Sequence, residues 1–109
     1  MDYIELGGRK LRVEVNWNAY EAFLDLMGKG SFDDLSALLM DFSPKTVKRL
    51  MTACINEGER MDGKPGYTPE EIGEMISRNG AEINDFMAIY TRQSTPATPA
   101  TPVEDSKKK

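Results

Sequence analysis

Two pairs of adjacent carboxylates are the first candidates for chemistry in this chain of 109 residues, Asp33-Asp34 and Glu70-Glu71. Paired carboxylates can divide general-acid and general-base roles when their surroundings separate their pKa values. Each pair falls in the first turn of a predicted helix, where negative charge complements the helix dipole. We therefore interpret both pairs as structural.

Cys54 is the single cysteine, and the chain contains no histidine that could activate it. It lies on the apolar side of a predicted helix, where cysteine behaves as a small hydrophobic residue. Residues 62–67 resemble a calcium loop only weakly, because acids do not alternate there and Pro65 interrupts the segment. The sequence predicts no catalytic residue, no metal site and no cofactor, and hence no enzyme.

The spacing of apolar residues and the turn and cap residues predict the secondary-structure elements that would position any binding residues. Alternating apolar residues on both sides of Gly7-Gly8 predict a β-hairpin over residues 3–15. About five short helices follow, each marked by an apolar stripe and a cap. The predicted cap residues are Asn18, Ser31, Ser43 and Thr68. The predicted fold is mostly α with a small N-terminal β-hairpin (α+β), a compact bundle of about five short helices.

The chain changes character at Arg92. Residues 93–109 contain three prolines at a spacing of three, a single valine and no aromatic residue. Such a segment buries too little apolar surface to offset the entropy of ordering. We predict a hairpin-plus-helices binding domain over residues 1–92. We also predict a disordered Thr/Pro/Ala-rich tail over residues 93–109, whose removal leaves the melting temperature of the domain unchanged.

The charge balance bears on partners and location. The net charge is −4, which argues against nucleic acid, because phosphate binding needs a basic field. No apolar stretch of about 18 residues is present, so no membrane partner is expected. The N-terminus has no signal-peptide character. We expect a cytoplasmic protein.

Several large apolar side chains could form a partner surface. Methionine and aromatic residues are adaptable binding groups, although positions on helix stripes are usually core. Trp17 is either a plug between hairpin and helix, which we favour, or an exposed anchor. The residues expected to contact a partner are Trp17, Phe32, Met40, Phe42, Phe86 and Tyr90.

Two stretches carry a resemblance to a known family. The first is Ile4-Glu5-Leu6-Gly7-Gly8-Arg9-Lys10-Leu11, and the second, nearer match begins at Thr68 and reads Thr-Pro-Glu-Glu-Ile-Gly-Glu-Met-Ile. Together with an aromatic-rich first helix, they resemble the small tail-assembly chaperones of long-tailed (siphovirus-type) bacteriophages and related gene-transfer particles.

The resemblance implies a function. Members of that family bind the long helical tape-measure protein, keep it soluble and promote assembly of the tail tube around it. It implies the tape-measure protein as partner and the major tail tube protein as a second one, and it places the chain in the host cytoplasm. Self-association is a further expectation. The alternative is a small acidic helical adaptor or a nucleic-acid-linked regulator of phage origin.

Overall fold

The computed structural model describes residues 1–94, and its elements follow the predicted order. A β-hairpin is followed by five helices, which confirms the expected fold class. The elements are β1 (Asp2–Leu6), β2 (Arg9–Val13), α1 (Trp17–Met27), α2 (Phe32–Leu39), α3 (Pro44–Met61), α4 (Pro69–Met75) and α5 (Ala81–Ser94). The Thr/Pro/Ala-rich segment from residue 95 onward lies outside the described residues.

The hairpin turns at Gly7-Gly8, as predicted. Both glycines have positive φ, 59° and 78°, which is the conformation of a two-residue turn that matches the twist of the strands. Leu6 therefore pairs with Arg9, and Ile4 pairs with Leu11. This register places the apolar side chains of both strands on one buried face, which rests on the helices.

Helix α3 is the centre of the domain. Its predicted stripe is buried in full, namely Val47, Leu50, Met51, Cys54 and Ile55. The backbone N–H of Glu14, just after β2, donates to the carbonyl of Cys54 at 3.1 Å. Phe23 of α1 and Phe86 of α5 are the largest side chains with no exposed surface. The hairpin, α1 and α5 thus share one core around α3.

The helix starts follow the predicted caps with one correction. Ser31 and Thr68 each form a capping box. Ser43 precedes Pro44 as expected, but its side chain makes no capping hydrogen bond. The first helix is capped by Asn16 instead of Asn18, because the Asn16 side chain accepts from the N–H of Ala19 at 2.9 Å. Two asparagines flank Trp17, and the sequence alone could not choose between them.

The structured part of the chain extends two residues beyond the predicted boundary at residue 92, because α5 continues to Ser94. The Gln93 amide accepts from the N–H of Val15 at 2.7 Å and donates to the carbonyl of Val13 at 2.9 Å. It also donates to the Asp2 carboxylate at 2.9 Å. Gln93 therefore fastens α5 to the hairpin and does not belong to the tail.

We expect Gln93→Ala in the full chain to lower the free energy of unfolding by about 1–3 kcal/mol, because it removes the partly buried hydrogen bonds of Gln93 to Val13, Val15 and Asp2. Arg92→Ala is the control, since Arg92 forms an exposed ion pair with Asp2, a type of contact worth about 0–1 kcal/mol. Urea unfolding followed by circular dichroism measures both. Equal losses in the two variants would contradict the role given to Gln93.

No helix within residues 1–94 combines the length and the apolarity needed to cross a membrane.

Candidate functional site

Four large apolar side chains are exposed around α2. Trp17 and Phe32 lie near its N-terminal end, with 67% and 68% of their surface exposed. Met40 and Phe42 follow its C-terminal end, at 78% and 68%. Single exposed apolar residues are normal, whereas a group of them marks an interaction site. We call Trp17, Phe32, Met40 and Phe42 together the α2 surface.

Trp17 and Phe32 are each the first residue of a capped helix, and both are exposed. The Trp17 and Phe32 ring centroids lie 6.1 Å apart, and Tyr20 meets Trp17 edge-on at 5.6 Å. These rings line a groove of about 420 Å³ between α1 and α2. The favoured interpretation of Trp17 as a core plug was wrong, because Trp17 is 67% exposed.

Met40 and Phe42, the C-terminal part of the α2 surface, lie in a turn that side-chain hydrogen bonds stabilise. The Asp41 carboxylate accepts from the backbone N–H of Ser43 at 3.0 Å and from the Thr46 hydroxyl at 2.9 Å. These hydrogen bonds lower the pKa of Asp41 below its usual value, and the bond from Ser43 has the largest effect. The turn thereby presents Phe42 at the edge of a smaller groove of about 170 Å³.

The two remaining candidates, Phe86 and Tyr90, lie deeper. Phe86 has no exposed surface, so it is a core residue and cannot line a partner surface as expected. Tyr90 is half-buried and lines the same small groove as Phe42. The Tyr90 hydroxyl lies 3.3 Å from the Tyr20 hydroxyl. Burial is the main reason that the pKa of Tyr90 is raised, and the contact with Tyr20 is the second.

Helix α2 itself is held by few side chains. Leu35 is its only fully buried residue, while Leu38 and Leu39 are partly buried. At about 1.5 Å per residue, its eight residues place the two halves of the α2 surface about 12 Å apart along the helix axis. Each end of α2 therefore carries exposed apolar side chains, an aromatic group at the N-terminal end and a Met-Phe pair after the C-terminal end.

A buried carboxylate that the sequence analysis did not single out lies beside α1. Glu57 accepts two hydrogen bonds from Arg60 at 2.8 Å, one from Asn16 at 2.8 Å and one from Asn18 at 3.3 Å. The Arg60 contact is the main reason that the pKa of Glu57 falls to about 2. A carboxylate with this many hydrogen bonds holds α1 against α3.

The sequence candidates for chemistry have structural roles. Asp34 and Glu71 complete the capping boxes of α2 and α4, so one acid of each pair has a structural role. Cys54 has no exposed surface, and burial raises its pKa to about 12, so its thiol stays protonated at neutral pH. Within residues 1–94, no group of three acids or cysteines is placed to hold a metal ion.

Comparisons with protein-family models, curated proteins and solved structures find no match.

Proposed function

We propose that this domain is a tail-assembly chaperone of a long-tailed bacteriophage and that it binds a helix of the tape-measure protein on the α2 surface. The observation that carries the proposal is the concentration of Trp17, Phe32, Met40 and Phe42 around one short, weakly held helix. The sequence resemblance supplies the identity of the partner, and the exposed apolar face supplies a means of binding it.

The dimensions of the α2 surface suit a helical partner. Two turns of an α-helix rise about 11 Å, close to the length of α2. A partner with apolar residues at positions i, i+3, i+4 and i+7 can therefore meet the Trp17–Phe32 pair and the Met40–Phe42 pair with a single stripe. Covering such stripes keeps a long helical protein from aggregating, which is the role proposed for the chaperone.

The proposal assigns a binding role to the chain and no catalysis. It places the protein in the host cytoplasm during assembly, with the tail tube protein as a second partner. The buried, protonated Cys54 and the satisfied carboxylate of Glu57 are consistent with this assignment, because neither is a reactive group.

We expect the double substitution Trp17→Ala and Phe32→Ala to weaken binding to the tape-measure protein of the same genome by at least about thirtyfold, since a single aromatic anchor is worth about 2 kcal/mol or more. Titration of the full chain against soluble tape-measure fragments measures the affinity. Because both side chains are mostly exposed, the melting temperature should change little.

Met61→Ala is the matched control, because Met61 is an exposed apolar residue, 46% accessible, that lies outside the α2 surface. It should leave the affinity unchanged. If the double variant binds the fragments as tightly as the natural chain, or if no fragment binds the natural chain, the proposed function is wrong.

A further inference from the structure

The net negative charge of the chain arises in the segment that carries the α2 surface, because that segment contains a single basic residue. Residues 17–43 contain five acidic side chains and one lysine, a net charge of −4, which equals the net charge of the whole chain. The remaining residues balance to zero. The charged residues of the segment are Glu21, Asp25, Lys29, Asp33, Asp34 and Asp41.

These carboxylates border the exposed apolar side chains. Glu21 and Asp25, one turn apart on α1, line the same groove as Trp17 and Phe32, together with Lys29, so its charged side chains leave one net negative charge there. Asp33 follows Phe32 directly and is exposed, while Asp41 lies between Met40 and Phe42 and lines the smaller groove. An occupant that covers the apolar face must therefore also come close to these carboxylates.

We infer that the α2 surface selects a cationic amphipathic helix, one whose apolar stripe is flanked by lysine or arginine; this inference rests on the proposed function and names the chemistry of its partner. Long basic side chains can lay their methylene stems over Trp17 and Phe32 and reach the carboxylates with their charged ends. A helix with acidic flanks would meet like charge at each of these positions.

The same charge distribution disfavours other occupants. A second copy of the chain bound across a two-fold axis would place one acidic α2 surface against another, because such an interface uses the same patch on both subunits. Nucleic acid would bring phosphates toward the carboxylates. A cationic helix is the occupant whose charge and shape both match.

The test uses two synthetic helical peptides of about 18 residues with the same leucine stripe, one flanked by lysine and the other by glutamate. Trp17 is the only tryptophan and is exposed, so its fluorescence reports occupancy of the α2 surface in the full chain. We expect the lysine peptide to bind about tenfold more tightly than the glutamate peptide at low salt. The difference in affinity should become smaller at about 0.5 M salt, because salt screens the charges.

Replacing acidic residues by lysine then shows which carboxylates cause the preference for the lysine peptide. Glu21→Lys with Asp25→Lys should abolish or invert the preference between the peptides. Glu74→Lys with Asp85→Lys, two exposed positions on α4 and α5, changes the net charge equally and should preserve it. Equal binding of both peptides, or loss of the preference in the control variant, would overturn the inference. If neither peptide nor any tape-measure fragment binds, the proposed function itself fails.

Discussion

Replacing Phe86 by alanine is expected to lower the free energy of unfolding by about 3–5 kcal/mol, the usual cost of removing a buried phenylalanine. Phe86 has no exposed surface, and its ring lies 6.0 Å from that of Tyr90 within the core that α5 shares with α3 and the hairpin. Domains of this size are stable by only about 5–15 kcal/mol, so the variant should lose a large part of its stability. Urea unfolding followed by circular dichroism measures the change.

Phe42→Ala is the matched control for this prediction. The same substitution at a side chain that is 68% exposed should alter stability by no more than about 0.5 kcal/mol, while it weakens binding on the α2 surface. Comparing the Phe86→Ala and Phe42→Ala variants distinguishes the effect of a buried phenylalanine from that of an exposed one in the same protein. Equal stabilities of the Phe86→Ala and Phe42→Ala variants would show that the burial of Phe86 is misassigned.

Gly58→Ala is expected to destabilise the domain by about 3 kcal/mol, near the upper end of the usual overpacking cost. In an exposed helix the same change would stabilise by about 1 kcal/mol, because alanine is the better helix former. At Gly58 an added Cβ would lie 2.2 Å from the carbonyl oxygen of Arg12 and 2.5 Å from its carbon. The strand and α3 would have to move apart, against the hydrogen bond from Glu14 to Cys54.

Gly73→Ala tests whether this cost comes from the close contact and not from glycine replacement as such. The three atoms nearest to a Cβ at Gly73 would all belong to the Lys48 side chain, whose Cδ would lie 3.0 Å away and can move aside. We expect Gly73→Ala to be neutral or to stabilise by up to about 1 kcal/mol. A Gly58→Ala variant as stable as the natural chain would contradict the close packing of α3 on β2.

Much of the fold could be predicted from local signals. The hairpin turn follows from two glycines between alternating strands, and the starts of α2, α3 and α4 follow from Ser31, Ser43-Pro44 and Thr68. The buried stripe of α3 follows from its helical period. Each of these features depends on residues within one or two turns of chain, which is the range over which backbone sterics and capping act. The function inferred from the resemblance stays a prediction.

The candidate surface could be predicted only in part. Met40 is among the residues expected to contact a partner, and it is exposed. The sequence did not distinguish Phe42 from Phe86, or show whether Trp17 is exposed, because apolar residues of similar size have similar local patterns. Which of them is buried depends on where α2 and α5 dock against the rest of the domain.

The sequence by itself determined the elements, their order and the side of each helix that is apolar. Only the tertiary structure decided which aromatic residues remain exposed, that Gln93 fastens α5 to the hairpin, and that Glu57 is clamped by Arg60 and Asn16. The Gln93 bonds join groups 78 to 91 residues apart, and the bond from Asn16 to Glu57 spans 41. Partners so distant are chosen by the packing of whole elements, for which a local sequence pattern carries no signal.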